Sequence, residues 1–127
     1  MVLTQRVTQI CLFLISLIGV LGGILQMWKG EPHTAPDLDN VHRFLAGIYL
    51  ACGIISFWTA LTIRKQHMLV FLLAGGVLMG ALGRAISMNI VGVPNPKGLW
   101  YTYFLSEIII PILMIVTQLI TSRRKYK

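Results

Sequence analysis

Four apolar runs, each the length of a bilayer crossing, alternate with short polar stretches along the chain. The first covers about residues 7–27 without a charged side chain, and about 20 consecutive apolar residues suffice to cross a hydrocarbon core of roughly 30 Å. Three more follow at about residues 41–63, 68–91 and 99–121. Lipid offers no water to backbone N–H and C=O groups, so each run must satisfy them internally as a helix. The pattern therefore predicts an all-α fold, an integral membrane four-helix bundle, with residues 1–127 forming a single four-span domain that ends in a short basic tail. The first run is expected to remain as a helix, since a signal peptide has a shorter apolar core and a small-residue cleavage site, and the exit Gln26-Met27-Trp28-Lys29 has neither.

The polar stretches refine this picture. Residues 28–40 hold Pro32, Pro36, Glu31, Asp37, Asp39 and His33, a loop outside the membrane. Asp37, Asp39 or Asn40 is expected to cap the second helix by accepting bonds from its free N–H groups. Arg64-Lys65-Gln66-His67 makes a tight basic turn, and Gly92, Pro94, Pro96 and Gly98 make a second turn, followed by the interfacial aromatics Trp100, Tyr101 and Tyr103. Small residues suggest where helices approach closely: Gly19-x-x-x-Gly23 in the first run, and Gly76, Gly80, Gly83 and Ser87 in the third. The second stripe, with Arg84 at its border, predicts close packing that holds the arginine in place.

Composition agrees with a membrane protein: 56% of residues are hydrophobic, 12% are charged, and the mean hydropathy is +0.76. The net charge of +7 lies in clusters beside the apolar runs, a topological signal that argues against a nucleic-acid partner. Arg6, Arg64, Lys65, Arg123, Arg124, Lys125 and Lys127 fall on one side and Lys29 and Lys97 on the other. Both termini are then expected in the cytoplasm, with the acidic and proline-rich loops on the periplasmic side of a bacterial inner membrane. Cys11 and Cys52 lie in apolar runs and behave as small hydrophobes. No metal motif, cofactor motif, or paired nucleophile and base is visible, and His33, His42 and His67 sit in or beside loops, so an enzyme is not expected.

Two charges lie deep within the apolar runs, and a third, Arg43, lies near the start of the second. Arg84 precedes the turn at Gly92 by about eight residues and Glu107 follows Leu99 by about eight, placing both roughly 12 Å below the outer surface at 1.5 Å per residue. Antiparallel neighbours joined by a short loop pack together, so this cation and anion should meet. Pro111 lacks the N–H that would bond the carbonyl of Glu107. Ser87 and Tyr103 lie one turn from the charges, while Asn40 and Arg43, on one face of the second helix, are placed to close the group from above. If Arg43 and Arg84 both face Glu107, the cavity has a positive excess that an anionic headgroup or a fatty-acid carboxylate would complete.

These residues also carry a resemblance. Asn40-x-x-Arg43-Phe44-x-x-Gly47-x-Tyr49, Gly83-Arg84-x-x-Ser87, the proline-containing turn, and Glu107 followed by Pro111 resemble a bacterial family of small four-helix membrane proteins, the domain of unknown function numbered 4345, over about residues 7–121. The resemblance implies four spans and the importance of Asn40, Arg43, Arg84 and Glu107, and carries no agreed chemistry. The expectation is a protein that binds a lipid or amphipathic anion in a periplasm-facing pocket, serving envelope maintenance. Arg84 is the primary ligand, Glu107 its counter-ion, Arg43 a gate or second ligand and Asn40 a cap, with Ser87 and Tyr103 lining. Two alternatives are a small proton- or ion-coupled transporter using Glu107, and a structural scaffold with a buried Arg–Glu pair. Expected partners are membrane lipids, a second copy touching at Gly19 and Gly23, and other envelope proteins.

Overall fold

The computed structural model describes residues 2–125, with side chains through Arg123. The part of the basic tail at Tyr126 and Lys127 lies outside the described residues. The fold is all-α, with four long apolar helices: α1 (Leu3–Lys29), α2 (Pro36–Leu61), α3 (Met68–Val91) and α4 (Lys97–Lys125). Each is long and apolar enough to cross a membrane. Of the apolar window in α3 only 17% is buried, and in each of the other three 28%. A helix whose apolar side chains mostly face outward needs a solvent as apolar as itself, so the chain is a multi-pass membrane protein.

The second helix starts five residues earlier than the apolar pattern implies. Proline at the first helical position has its φ preset and no N–H to leave unsatisfied, and Ala35 is the N-cap, with no side-chain cap. The expected caps are therefore corrected: Asp37 and Asp39 sit inside the first turn of α2, where they complement its dipole, and Asn40 is one residue further on. At the end of α3, Gly92 takes φ +87° and its N–H bonds Met88 O at 3.1 Å, ending the helix where the glycine–proline turn was read.

The chain divides into two compact units, Leu12–Ile63 and Met1–Cys11 with Arg64–Lys127. In the first, α1 and α2 approach at their glycines. A Cβ added to Gly19 would lie 2.9 Å from the Gly53 Cα, and one added to Gly23 would lie 2.8 Å from the Leu50 backbone. The close approach expected at Gly19-x-x-x-Gly23 is thus made to α2 of the same chain, which takes the surface assigned above to a second copy. Phe13 and Phe57 pack edge to face there, with centroids 5.8 Å apart.

In the second unit, α3 and α4 pack against each other and the opening turns of α1 join α4 through hydroxyl groups. Thr4 Oγ1 is 2.7 Å from Thr121 Oγ1, and Thr8 Oγ1 is 2.7 Å from Thr117 Oγ1. Thr8, Thr117 and Thr121 are buried. The small-residue stripe of α3 is not packed as expected: Cβ atoms at Gly76, Gly80 or Gly83 would have nothing within 4 Å, and Ser87 is exposed. Spacing identifies a smooth helix face, but the face that receives a neighbour is decided by the partner helix, and α4 contacts α3 elsewhere.

Candidate functional site

Arg84 and Glu107 meet as their matched depths require. Arg84 Nε donates to Glu107 Oε2 at 2.8 Å and Nη2 to Oε1 at 2.7 Å, so both carboxylate oxygens accept from one planar fork. Their side chains are 26% and 19% exposed. Trp100, on the first turns of α4, lies under the guanidinium with its ring centroid 5.3 Å from Cζ, a cation–π contact. Tyr103 packs edge-on against Trp100 at 6.1 Å. Arg84 is therefore positioned by α4 through a carboxylate and a ring, in place of the glycine stripe. Among the described residues the ion pair holds one cation and one carboxylate.

Arg43 has a different partner. Its Nε donates to Asp39 Oδ2 at 2.9 Å, one helical turn earlier, and its Nη1 donates to Met27 O at 2.5 Å and Trp28 O at 3.3 Å. Nη2 reaches Lys29 O at 3.5 Å. These carbonyls belong to the last turn of α1, whose acceptors have no partner within the helix, and a cation there meets the negative end of the dipole. Asp39 Oδ1 accepts the Glu31 N–H at 2.6 Å, which orients it toward Arg43. Gly30 makes the geometry feasible. It takes φ +56°, its N–H bonds Gln26 O at 2.8 Å, and a Cβ there would strike the Arg43 guanidinium and the Asp39 carboxylate.

The six residues singled out from the sequence thus divide. The structure brings Arg84 and Glu107 together directly and places Tyr103 beside them through Trp100. Arg43 closes the α1–α2 connection with Asp39, so the inferred two-to-one excess of arginine over carboxylate is replaced by two pairs, each with its own anion. Asn40 and Ser87 are exposed, and neither side chain makes a hydrogen bond among the described residues. Pro111 is fully buried inside α4.

Other polar residues escaped the sequence reading. Besides the threonines, Gln118 is buried, with Nε2 3.2 Å from His67 Nδ1 and 3.4 Å from Gln66 O. Thr4 and Thr8, like Thr117 and Thr121, recur at a spacing of four within apolar helices. That repetition puts both hydroxyls of a pair on one face and was the available signal. Among the described residues no group of His, Cys, Asp and Glu is arranged to hold a metal, and both cysteines are free.

The family described as Domain of unknown function (DUF4345) matches residues 7–118, which include all four helices nearly whole and both ion pairs. The chain belongs to this family. No curated protein and no solved structure matches it.

Proposed function

We propose that this DUF4345 protein acts as a membrane scaffold, in which the Arg84–Glu107 pair fixes the register of α3 against α4. The observation that carries this reading is the two-bond fork, closed over Trp100: both carboxylate oxygens are used by the arginine and the local charge is balanced. A buried pair that is complete in itself specifies how two helices align. A protein that captured an anion at Arg84 would need positive charge to spare, and Arg43, which was to supply it, is engaged with Asp39 and the end of α1. Coupled transport through Glu107 would require that carboxylate to exchange partners against a bidentate arginine. The flanking charges support a bacterial inner-membrane location with cytoplasmic termini, and an envelope role follows from that placement.

The test compares Arg84→Met, Glu107→Leu and the double variant in detergent, by thermal unfolding and by native mass spectrometry. Each single change strands a charge, and the double change replaces the pair with apolar packing, so the scaffold reading expects the double variant to regain most of the lost stability. An anionic lipid retained by the wild type and lost from a folded double variant would overturn the reading in favour of ligand binding at Arg84.

A further inference from the structure

The end of the second unit that carries the α2–α3 turn holds a cleft of ≈ 340 Å³, lined by Gln5, Arg64, Lys65, Gln66, His67, Gln118, Thr121 and Ser122. Its charge is one-sided, because among the described residues Arg64 and Lys65 line it and no carboxylate does. Helix α3 begins at its edge with His67 as N-cap, no side-chain cap bond and no acidic residue in the first turn, so the positive end of that helix dipole adds to the two cations. Gln5 is the most informative residue. It is 6% exposed, it lines the cleft, and its amide makes no hydrogen bond among the described residues. Among the described residues no fully buried side-chain polar atom lacks a partner, so the amide of this otherwise buried residue keeps its accessible surface at the cleft it lines, where its hydrogen-bonding capacity is free for a ligand.

Two further features narrow what that ligand is. His67 Nδ1 lies 3.2 Å from Gln118 Nε2, which can only donate, and 3.2 Å from Ser122 Oγ, so the cleft wall is already ordered by its own hydrogen bonds. Leu3, Met68 and Leu72, close in sequence to the lining residues, are 75%, 65% and 65% exposed, an apolar surround suited to acyl chains. A hydrophilic anion would gain nothing from that surround, whereas an amphipathic one would use both halves. We infer that the cleft binds the phosphate of an anionic phospholipid headgroup, with Arg64 and Lys65 supplying charge and Gln5 a hydrogen-bond donor. This site is distinct from Arg84–Glu107 and does not depend on the role proposed for that pair.

The test is native mass spectrometry of the full chain with added phosphatidylglycerol or phosphatidylcholine, with and without inorganic phosphate. Wild type should retain one phosphatidylglycerol in preference to phosphatidylcholine, and Arg64→Gln/Lys65→Gln should weaken that retention roughly 10- to 30-fold, the effect of removing two charges at a lipid surface. Gln5→Leu, or Gln5→Met should the leucine variant fail to fold, should weaken it several-fold, while the exposed Arg123→Gln should leave it unchanged. The same lipid should stay bound in the folded Arg84→Met/Glu107→Leu variant. Equal loss in Arg123→Gln and the Arg64/Lys65 variant, or no effect of removing the Gln5 amide, would reduce the cleft to diffuse surface charge and overturn the site. Displacement of the lipid by millimolar inorganic phosphate with no lipid preference would overturn the headgroup assignment.

Discussion

At the scale of single residues, the two arginines show what burial and neighbours decide. Removing either partner of Arg84–Glu107 leaves a charge in a place made for a pair, and Arg84→Gln is expected to cost about 3–5 kcal/mol, read as a lowered unfolding midpoint in detergent. In a double-mutant cycle with Glu107→Gln, the two losses should be far from additive. Gly30→Ala should cost about 1–2 kcal/mol from the left-handed backbone alone and more from displacing Arg43, checked by the same unfolding measurement. The first pair was legible in the sequence because two lone charges in apolar runs at equal depth have few other places to go. The second was not. Asp39 looked like a helix cap because capping is what an aspartate before an apolar run usually does, and the earlier start of α2 at Pro36 moved it one turn inside, opposite Arg43.

Among the helices, the two glycine stripes make opposite predictions. Gly19→Ala places a methyl group 2.9 Å from the Gly53 Cα, so α1 and α2 must separate, an overpacking cost of about 1–3 kcal/mol. Gly80→Ala meets nothing within 4 Å and is expected to be neutral or to stabilise α3 by up to about 1 kcal/mol through helix propensity. Unfolding of the two variants side by side checks both; a destabilised Gly80→Ala would show that α3 uses this face in contacts beyond those within the chain. The spans themselves were legible from run length, since the requirement to satisfy the backbone in lipid leaves only helices. Which stripe is packed was not legible, because small residues permit close approach without specifying the neighbour. Thr8→Val tests the hydroxyl contact to α4, and about 0.6–1.7 kcal/mol is expected, the range for hydrogen bonds between membrane helices.

For the molecule as a whole, the orientation proposed from the flanking charges can be tested by labelling. In a background of Cys11→Ser and Cys52→Ser, a membrane-impermeant maleimide added to intact cells should label Thr34→Cys and Asn95→Cys, and should label Gln66→Cys only after permeabilisation. The reverse pattern would place the termini outside. The threonine contacts between α1 and α4 bear on how the protein is made. Thr4 and Thr121 are 117 positions apart and Thr8 and Thr117 are 109 apart, so the opening turns of α1 leave the ribosome long before the groups they will meet. The α1–α2 hairpin can close once both of its helices are inserted, whereas the hydroxyl of Thr8, inside the first span, must wait in lipid for the last one. Thr8 can wait at little cost, because its single hydroxyl proton can go to Thr4 O of its own helix at 3.1 Å and that of Thr117 to Leu113 O at 2.7 Å, and when the two hydroxyls meet one of them redirects its proton to the other. Each side of this long-range contact therefore enters the bilayer already satisfied, and translation can finish before the chain commits its first helix to its last.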